Sequence, residues 1–415
     1  MKILLKTIHL LFTCLWYKIV YYFSNNKLEC LKNFTNNLQE KNYIFIKVLQ
    51  SLSTNSDLFD EEQMKLLLNY NDNVKYLNEE IDIGELESNI HKINENVEDK
   101  LFLLSKKPIK SGMISVIYEG VINNKDVVIK VYRNDIQEKI KSQYEELYYI
   151  MNYISYIPFV HLEELIKILN DTKDTMLKQC VIKNERDNIK KMYKLYNNLD
   201  NIKIPLLYDN HSCDTMIVME RFNGKNILSL TEEEKKYYSK IISDYTVTSV
   251  FYKRLVHADL HEGNIFFIEN GDNKEIGLID FGLMIHITRE QQDTYYRLLE
   301  AISLKNKKDA VDIFIYELLE PKEKIKNLST HLYNVLYNQF DTILELIIEE
   351  KMDLDTNLIY NSVEILKKNG LKFAKYISEI ELSIGVSSNI CKYLSNDKHH
   401  LNDIIETFRY NSSCF

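Results

Sequence analysis

The sequence predicts an α+β fold with helix in the majority, and three observations carry that prediction. Of 415 residues only 10 are Gly and 4 are Pro, which disfavours collagen-like, linker-rich and turn-dense all-β designs. Alternation of period two is confined to short stretches, the clearest being MISVIYEGVI at 113–122 and KDVVIKVYR at 125–133. Seven of the ten glycines (Gly112, Gly120, Gly224, Gly263, Gly271, Gly277 and Gly282) lie between residues 112 and 282. Special backbone geometry, and with it the chemistry, is expected there. With 45% apolar and 27% charged residues most of the chain should be folded. Its length suggests about two to three domains.

The elements follow in order. Residues 1–100 read as a helical extension. Within it ILLKTIHLLFTCLWYKIVYYF at 3–23 is apolar and aromatic, but Lys6, His9 and Lys18 interrupt the uncharged run that a spanning helix needs. A signal peptide fits the basic start but lacks a small-residue cleavage site, and a standard mitochondrial leader would be rich in Arg and Ser. The favoured reading is an amphipathic helix packed on the domain or resting on a membrane surface. In NSDLFDEEQMKLLLNY, Asp60 caps a helix with Gln63 three residues on. Residues 101–222 read as a small β-containing lobe. The two alternating runs form a hairpin around an Asn123-Asn124 turn, a helical region covers 135–200, and IPLLYD and DTMIVMERF supply two β-like segments. Residues 223–415 read as a helical lobe, with capping boxes Thr231/Glu234 and Thr288/Gln291 opening two of its helices. Beyond residue 287 everything looks helical.

Charge and cysteine content narrow the function classes. With 52 basic and 61 acidic residues the net charge is −9, so no global basic field favours nucleic acid, and no nucleic-acid partner is expected. Cys14, Cys30, Cys180, Cys213, Cys391 and Cys414 are far apart, with no CxxC pair and no zinc-finger spacing. This points to an intracellular, reducing compartment without structural zinc.

The chemistry is concentrated in HADLHEGN at 257–264 and LIDFG at 278–282. Together they supply two carboxylates and an amide. In a phosphotransfer site Asp259 would orient or deprotonate the attacking hydroxyl or water, Asn264 would hold one Mg²⁺, and Asp280 would hold Mg²⁺ bridging the nucleotide phosphates. Hard oxygen ligands suit Mg²⁺, and phosphoryl transfer asks a protein for little beyond positioning and charge neutralisation. Lys130 in VVIK, late in the second hairpin strand, is placed to reach the α and β phosphates of ATP. Glu185, in the helix-prone VIKNERDNIKKM, is its natural partner. Gly112 in PIKSGMISVIY stands where a phosphate-covering loop needs close backbone approach. Met219, Glu220, Arg221 and Phe222 precede Gly224 at a junction where a hinge offers backbone groups to an adenine. The cofactors implied are ATP and Mg²⁺.

These motifs resemble the UbiB family, the atypical aarF-domain-containing kinases, over roughly residues 40–300. The resemblance includes a segment that ordinary protein kinases lack. FIKVLQSLSTNSDLF at 45–59 is similar to the family's extension with its K-x-G-Q signature, carried here by Lys47 and Gln50. NERDNIKKMYKLYNNLDNIKIPLLYD resembles its glutamate-bearing helix, with Glu185 and Asn188 in matching places, and VMERFNG resembles its hinge. The resemblance implies an atypical bilobal protein-kinase-like fold, kinase or ATPase activity, a link to lipid or isoprenoid quinone metabolism, and an extension folded over the cleft in a regulatory role. Four departures stand out. Leu49 replaces the signature glycine, KSGMISV replaces an alanine-rich loop, Gln179 and Val181 replace acidic residues, and Leu260 and Glu262 replace prolines of the catalytic loop.

Two other readings stay open. Small-molecule phosphotransferases of the aminoglycoside or choline kinase type share H-x-D-x-x-x-x-N and I-D-F-G, although FIKVLQSLST argues against them. The altered loop also fits a pseudokinase that binds a nucleotide or a partner without turnover.

Overall fold

The computed structural model describes residues 2–42, 44–45, 60–68, 80–157, 162–199, 201–271, 273–348 and 365–374, with further single residues between 376 and 394. They form two compact units, Met1–Asp187 with Leu206–Arg221, and Asn188–Pro205 with Phe222–Phe415. In this division the described residues that precede the first sheet group with it, and 188–205 group with the second unit.

The first unit is organised by a five-stranded antiparallel sheet in the order Leu101–Leu103, Ser115–Ile122, Lys125–Tyr132, Met216–Glu220, with Lys110–Ser111 also pairing with the strand at 115–122. Asn123 and Asn124 both adopt left-handed backbone, φ 48° and 61°, the geometry of the two-residue hairpin turn. Side chains then alternate between faces. Val116, Tyr118, Ile122, Val127, Ile129, Val131, Met216 and Val218 pack as one core with Leu86 and Ile90 of the helix Ile83–Asn96. Lys130 and Tyr132 therefore fall on the opposite face. IPLLYD yields only an isolated bridge, Leu207 to Met219. Pro205 has no N–H to donate, and the Leu206 N–H bonds the Glu220 side chain instead.

Helix Lys2–Phe23 lies in the same unit, with Lys6 paired to Glu146 of the helix Ile136–Ile154 at 2.5 Å. Thr7 and Leu10 are buried, whereas Leu5, Ile8, Phe12, Leu15, Trp16, Ile19, Tyr22 and Phe23 are exposed. Residues 3–23 are long and apolar enough to cross a bilayer by length and composition. The Asp60–Gln63 pair closes as a reciprocal cap, with the Gln63 N–H bonding Asp60 Oδ1 at 2.9 Å.

In the second unit both capping boxes are formed, at Thr231/Glu234 for helix Glu232–Val247 and at Thr288/Gln291 for helix Arg289–Ser303. A helical core follows, built on Val311, Leu318, Leu336, Phe340 and Leu344. One short pairing departs from the all-helical expectation: Leu319–Glu320 joins Lys372–Phe373. Two residues are too few to show alternation in a sequence.

Candidate active site

Lys130 is in the middle of the sheet, opposite Ile117 on one neighbour and Ile217 on the other. Its Nζ donates to Glu185 Oε1 at 2.7 Å, and the two side chains are only 7% and 1% exposed. Glu185 is in the first turn of helix Ile182–Tyr196, where the helix dipole favours a negative charge. Tyr132, two residues after Lys130 and so on the same face, donates its hydroxyl to the other carboxylate oxygen, Oε2. The carboxylate is thus held at both oxygens.

Gly112 lies in the loop between Lys110–Ser111 and Ser115–Ile122. Its N–H bonds Ser115 O at 2.9 Å, and its carbonyl is held by Arg133. Met219 is buried in the strand Met216–Glu220. The Glu220 N–H goes to Leu206 O and the Arg221 N–H to Asp126 O. Among the described residues, Phe222 is the expected hinge position whose N–H meets no protein acceptor. Lys47 and Gln50 lie outside the described residues.

The second unit carries Asp259, Asn264 and Asp280 on two loops fixed to each other at several points. The strand Leu255–His257 pairs with Met284–His286, and Ile265–Asn270 pairs with Asn273–Leu278. Each loop therefore leaves one of these ladders and enters the other. Between them the Ala258 N–H bonds Leu283 O, and the Ile279 N–H bonds Asn264 O. Buried His257 adds a further tie, which sequence reasoning passed over. Its Nδ1 accepts from the Asp259 N–H at 3.2 Å and its Nε2 contacts Ile279 O at 3.1 Å. These partners require a neutral ring protonated on Nε2. Burial pushes the His257 pKa below its ordinary value, in keeping with that state.

Asp280 has left-handed backbone, φ 60°, a conformation that Asp and Asn adopt most readily among non-glycine residues. Its Oδ1 accepts the Gly282 N–H at 3.3 Å. Phe281 is buried beside the His257 ring, and its carbonyl accepts from Asn188 Nδ2 at 2.9 Å. Asn264 donates Nδ2 to Asp259 O at 2.8 Å, with the same nitrogen 3.1 Å from His261 Nε2. Because the nitrogen takes both contacts, Oδ1 is the amide atom left for another partner. An amide oxygen and the Asp280 carboxylate are the hard donors that Mg²⁺ prefers, and Mg²⁺ usually completes its octahedron with water and substrate phosphates. The residues present fit that ion.

Residues 71–314, more than half of the chain, match the ABC1 atypical kinase-like domain family. The chain belongs to this family. Among curated relatives, this ABC1 chain is similar to the "Probable protein kinase UbiB" of Sodalis glossinidius, at 26% identity over 263 residues, which is 61% of this chain and 48% of that protein. The protein of the same description from Photobacterium profundum is 24% identical over 264 residues, again 61% and 48%. The chain spans about half the length of the curated relatives it matches. Two solved structures share 13–14% identity with it. The Rv3197–erythromycin complex from Mycobacterium tuberculosis has a TM-score of 0.48 over 74% of this ABC1 chain and 79% of that one. The Rio2 kinase–ADP/Mg²⁺–phosphoaspartate complex from Chaetomium thermophilum has a TM-score of 0.33 over 80% and 78%.

Proposed function

We propose that this ABC1-family chain is an ATP- and Mg²⁺-dependent atypical phosphotransferase or ATPase of UbiB type, acting in lipid or isoprenoid quinone metabolism. The buried Lys130–Glu185 ion pair carries the reading. Removing two charges from water is costly, and a sheet that needed only packing could place an apolar residue between Ile117 and Ile217. A lysine held by a carboxylate and aimed from a central strand is suited to α and β phosphates. Asn264 and Asp280 would hold Mg²⁺, which neutralises charge on the transferring phosphoryl group. Asp259 would orient or deprotonate the attacking hydroxyl or water, and the Phe222 N–H would donate to an adenine. The lipid link rests on the family resemblance and on the exposed apolar face of helix Lys2–Phe23.

The deciding measurement is the melting midpoint with ATP or ADP, with and without Mg²⁺, for the wild-type chain and Asp280→Asn. A ligand that binds only the folded chain stabilises it by about 2.7 kcal/mol at a hundredfold excess over Kd. The expected result is a Mg²⁺-dependent rise that the variant loses. No rise at millimolar nucleotide would overturn the reading and favour a partner-binding pseudokinase.

A further inference from the structure

Arg133 follows the strand that carries Lys130, and its guanidinium is completely buried. It donates to one short loop and to one acid. Nε and Nη2 donate to the Gly112 carbonyl at 3.2 and 2.5 Å, Nη2 also bonds Ser111 Oγ at 3.1 Å, and Nη1 pairs with Glu80 Oε2. The backbone repeats the pattern: the Arg133 N–H bonds Ile114 O, and the Asn134 N–H bonds Glu80 O, both at 2.9 Å. Glu80 is itself buried, and its second oxygen lies 3.7 Å from Lys139 Nζ.

These bonds have a directional consequence. The Gly112–Met113 peptide is trans, so its N–H points away from its carbonyl. With the carbonyl held on the Arg133 side, the Met113 N–H is turned to the other side. Among the described residues the Met113 N–H meets no protein acceptor. An anionic oxygen is a strong acceptor for such a group. An apolar substitute for the Arg133–Glu80 pair would cost less to bury, but it could not set this peptide's orientation.

We infer that Arg133, locked by Glu80, is a positioning residue that presents the Met113 N–H to a nucleotide phosphate. This rests on the ATP reading of the site and deepens it. Glu80 lies three residues before the start of helix Ile83–Asn96, so the loop's geometry depends on the extension.

The test is titration of Mg-ATP and of adenosine into the wild-type chain, Arg133→Lys and Glu80→Gln, with melting midpoints recorded alongside. Amide exchange of residues 111–115 is measured in each with and without Mg-ATP. Lysine cannot reproduce the forked contact with Gly112 O and Ser111. Arg133→Lys is expected to weaken Mg-ATP by about tenfold while changing adenosine by less than about twofold. Glu80→Gln keeps the guanidinium and serves if the first variant does not fold; it should weaken Mg-ATP about threefold with the same spared adenosine. Exchange at Met113 should slow on Mg-ATP binding to the wild type and slow less in the variants. Equal losses for both ligands, unchanged Mg-ATP affinity in the variants, or no protection of Met113 in a wild-type chain that binds Mg-ATP would overturn the clamp alone. A wild type that binds no nucleotide would overturn the ATP reading and the clamp together.

Discussion

His257 Nε2 donates to the Ile279 carbonyl at 3.1 Å, so the residue two before Asp259 is tied to the residue just before Asp280. Burial is the main cause of its lowered pKa, with the Ile279 carbonyl and the Asp259 and Asp280 carboxylates opposing it. The folded chain therefore binds fewer protons at this ring than the unfolded chain does. Stability from this group is complete above pH about 6.5 and falls as the pH drops below that value. Urea melts from pH 7.5 to 5 should show that decline in the wild type and a shallower one in His257→Asn. Equal slopes would show that the ring does not titrate between the two states.

Tyr132 and Lys130 share the Glu185 carboxylate. Tyr132→Phe should cost about 0.5–1.5 kcal/mol of stability, with a lower affinity for Mg-ATP because Glu185 loses one restraint. Glu185→Gln should cost more, about 3–5 kcal/mol, since it leaves a buried lysine without its counter-charge. Denaturant melts and nucleotide titrations of both variants decide the order; Tyr132→Phe as damaging as Glu185→Gln would contradict it.

Asp259 is half-buried in the loop, and asparagine matches its size while removing its charge. Asp259→Asn should leave the chain folded and reduce turnover by about 10²–10⁴-fold. Full turnover in the folded variant would remove Asp259 from the chemistry.

A methyl group at Gly277 would stand 2.6 Å from Phe222 Cδ2 and 2.8 Å from Ile268 Cδ1. Both neighbours are buried, so they cannot simply swing into solvent. Gly277→Ala is expected to cost about 1–3 kcal/mol and to weaken adenine binding by displacing Phe222. Urea melts test the first effect and adenosine titration the second.

Trp16 is the sole tryptophan, 64% exposed on the apolar face of helix Lys2–Phe23. Docking of that face on a bilayer should shift its emission to the blue when lipid vesicles are added, and Phe12→Asp should suppress the shift. Unchanged emission at saturating lipid would exclude docking through this face.

What was legible in the sequence was what local rules govern. Asn123-Asn124 announced its turn because few residue pairs accept two left-handed conformations. The Asp60, Thr231 and Thr288 caps announced themselves because both partners lie within one turn of helix. Lys130, Asp259 and Asp280 stood out through spacing. Tyr132, Arg133 and His257 did not, because each works through a partner distant in sequence: Glu185, Glu80 and Ile279 are 53, 53 and 22 positions away. No periodicity records such pairings. Glu220 and Arg221 show the converse limit, since a hinge can be located in sequence but not which of its N–H groups the sheet and its neighbours already use.

The left-handed backbone at Asp280 separates shape from charge at a single position. Glycine there retains the path of the chain and deletes the side chain. Asparagine keeps the path and one oxygen while removing the charge. Alanine forfeits both the oxygen and the conformational tolerance, and glutamate keeps the charge on a residue poorly suited to that twist. Comparing the four resolves how much of any defect stems from a lost ligand oxygen, a lost charge or a chain driven off its native path, a separation that an extended backbone would not allow.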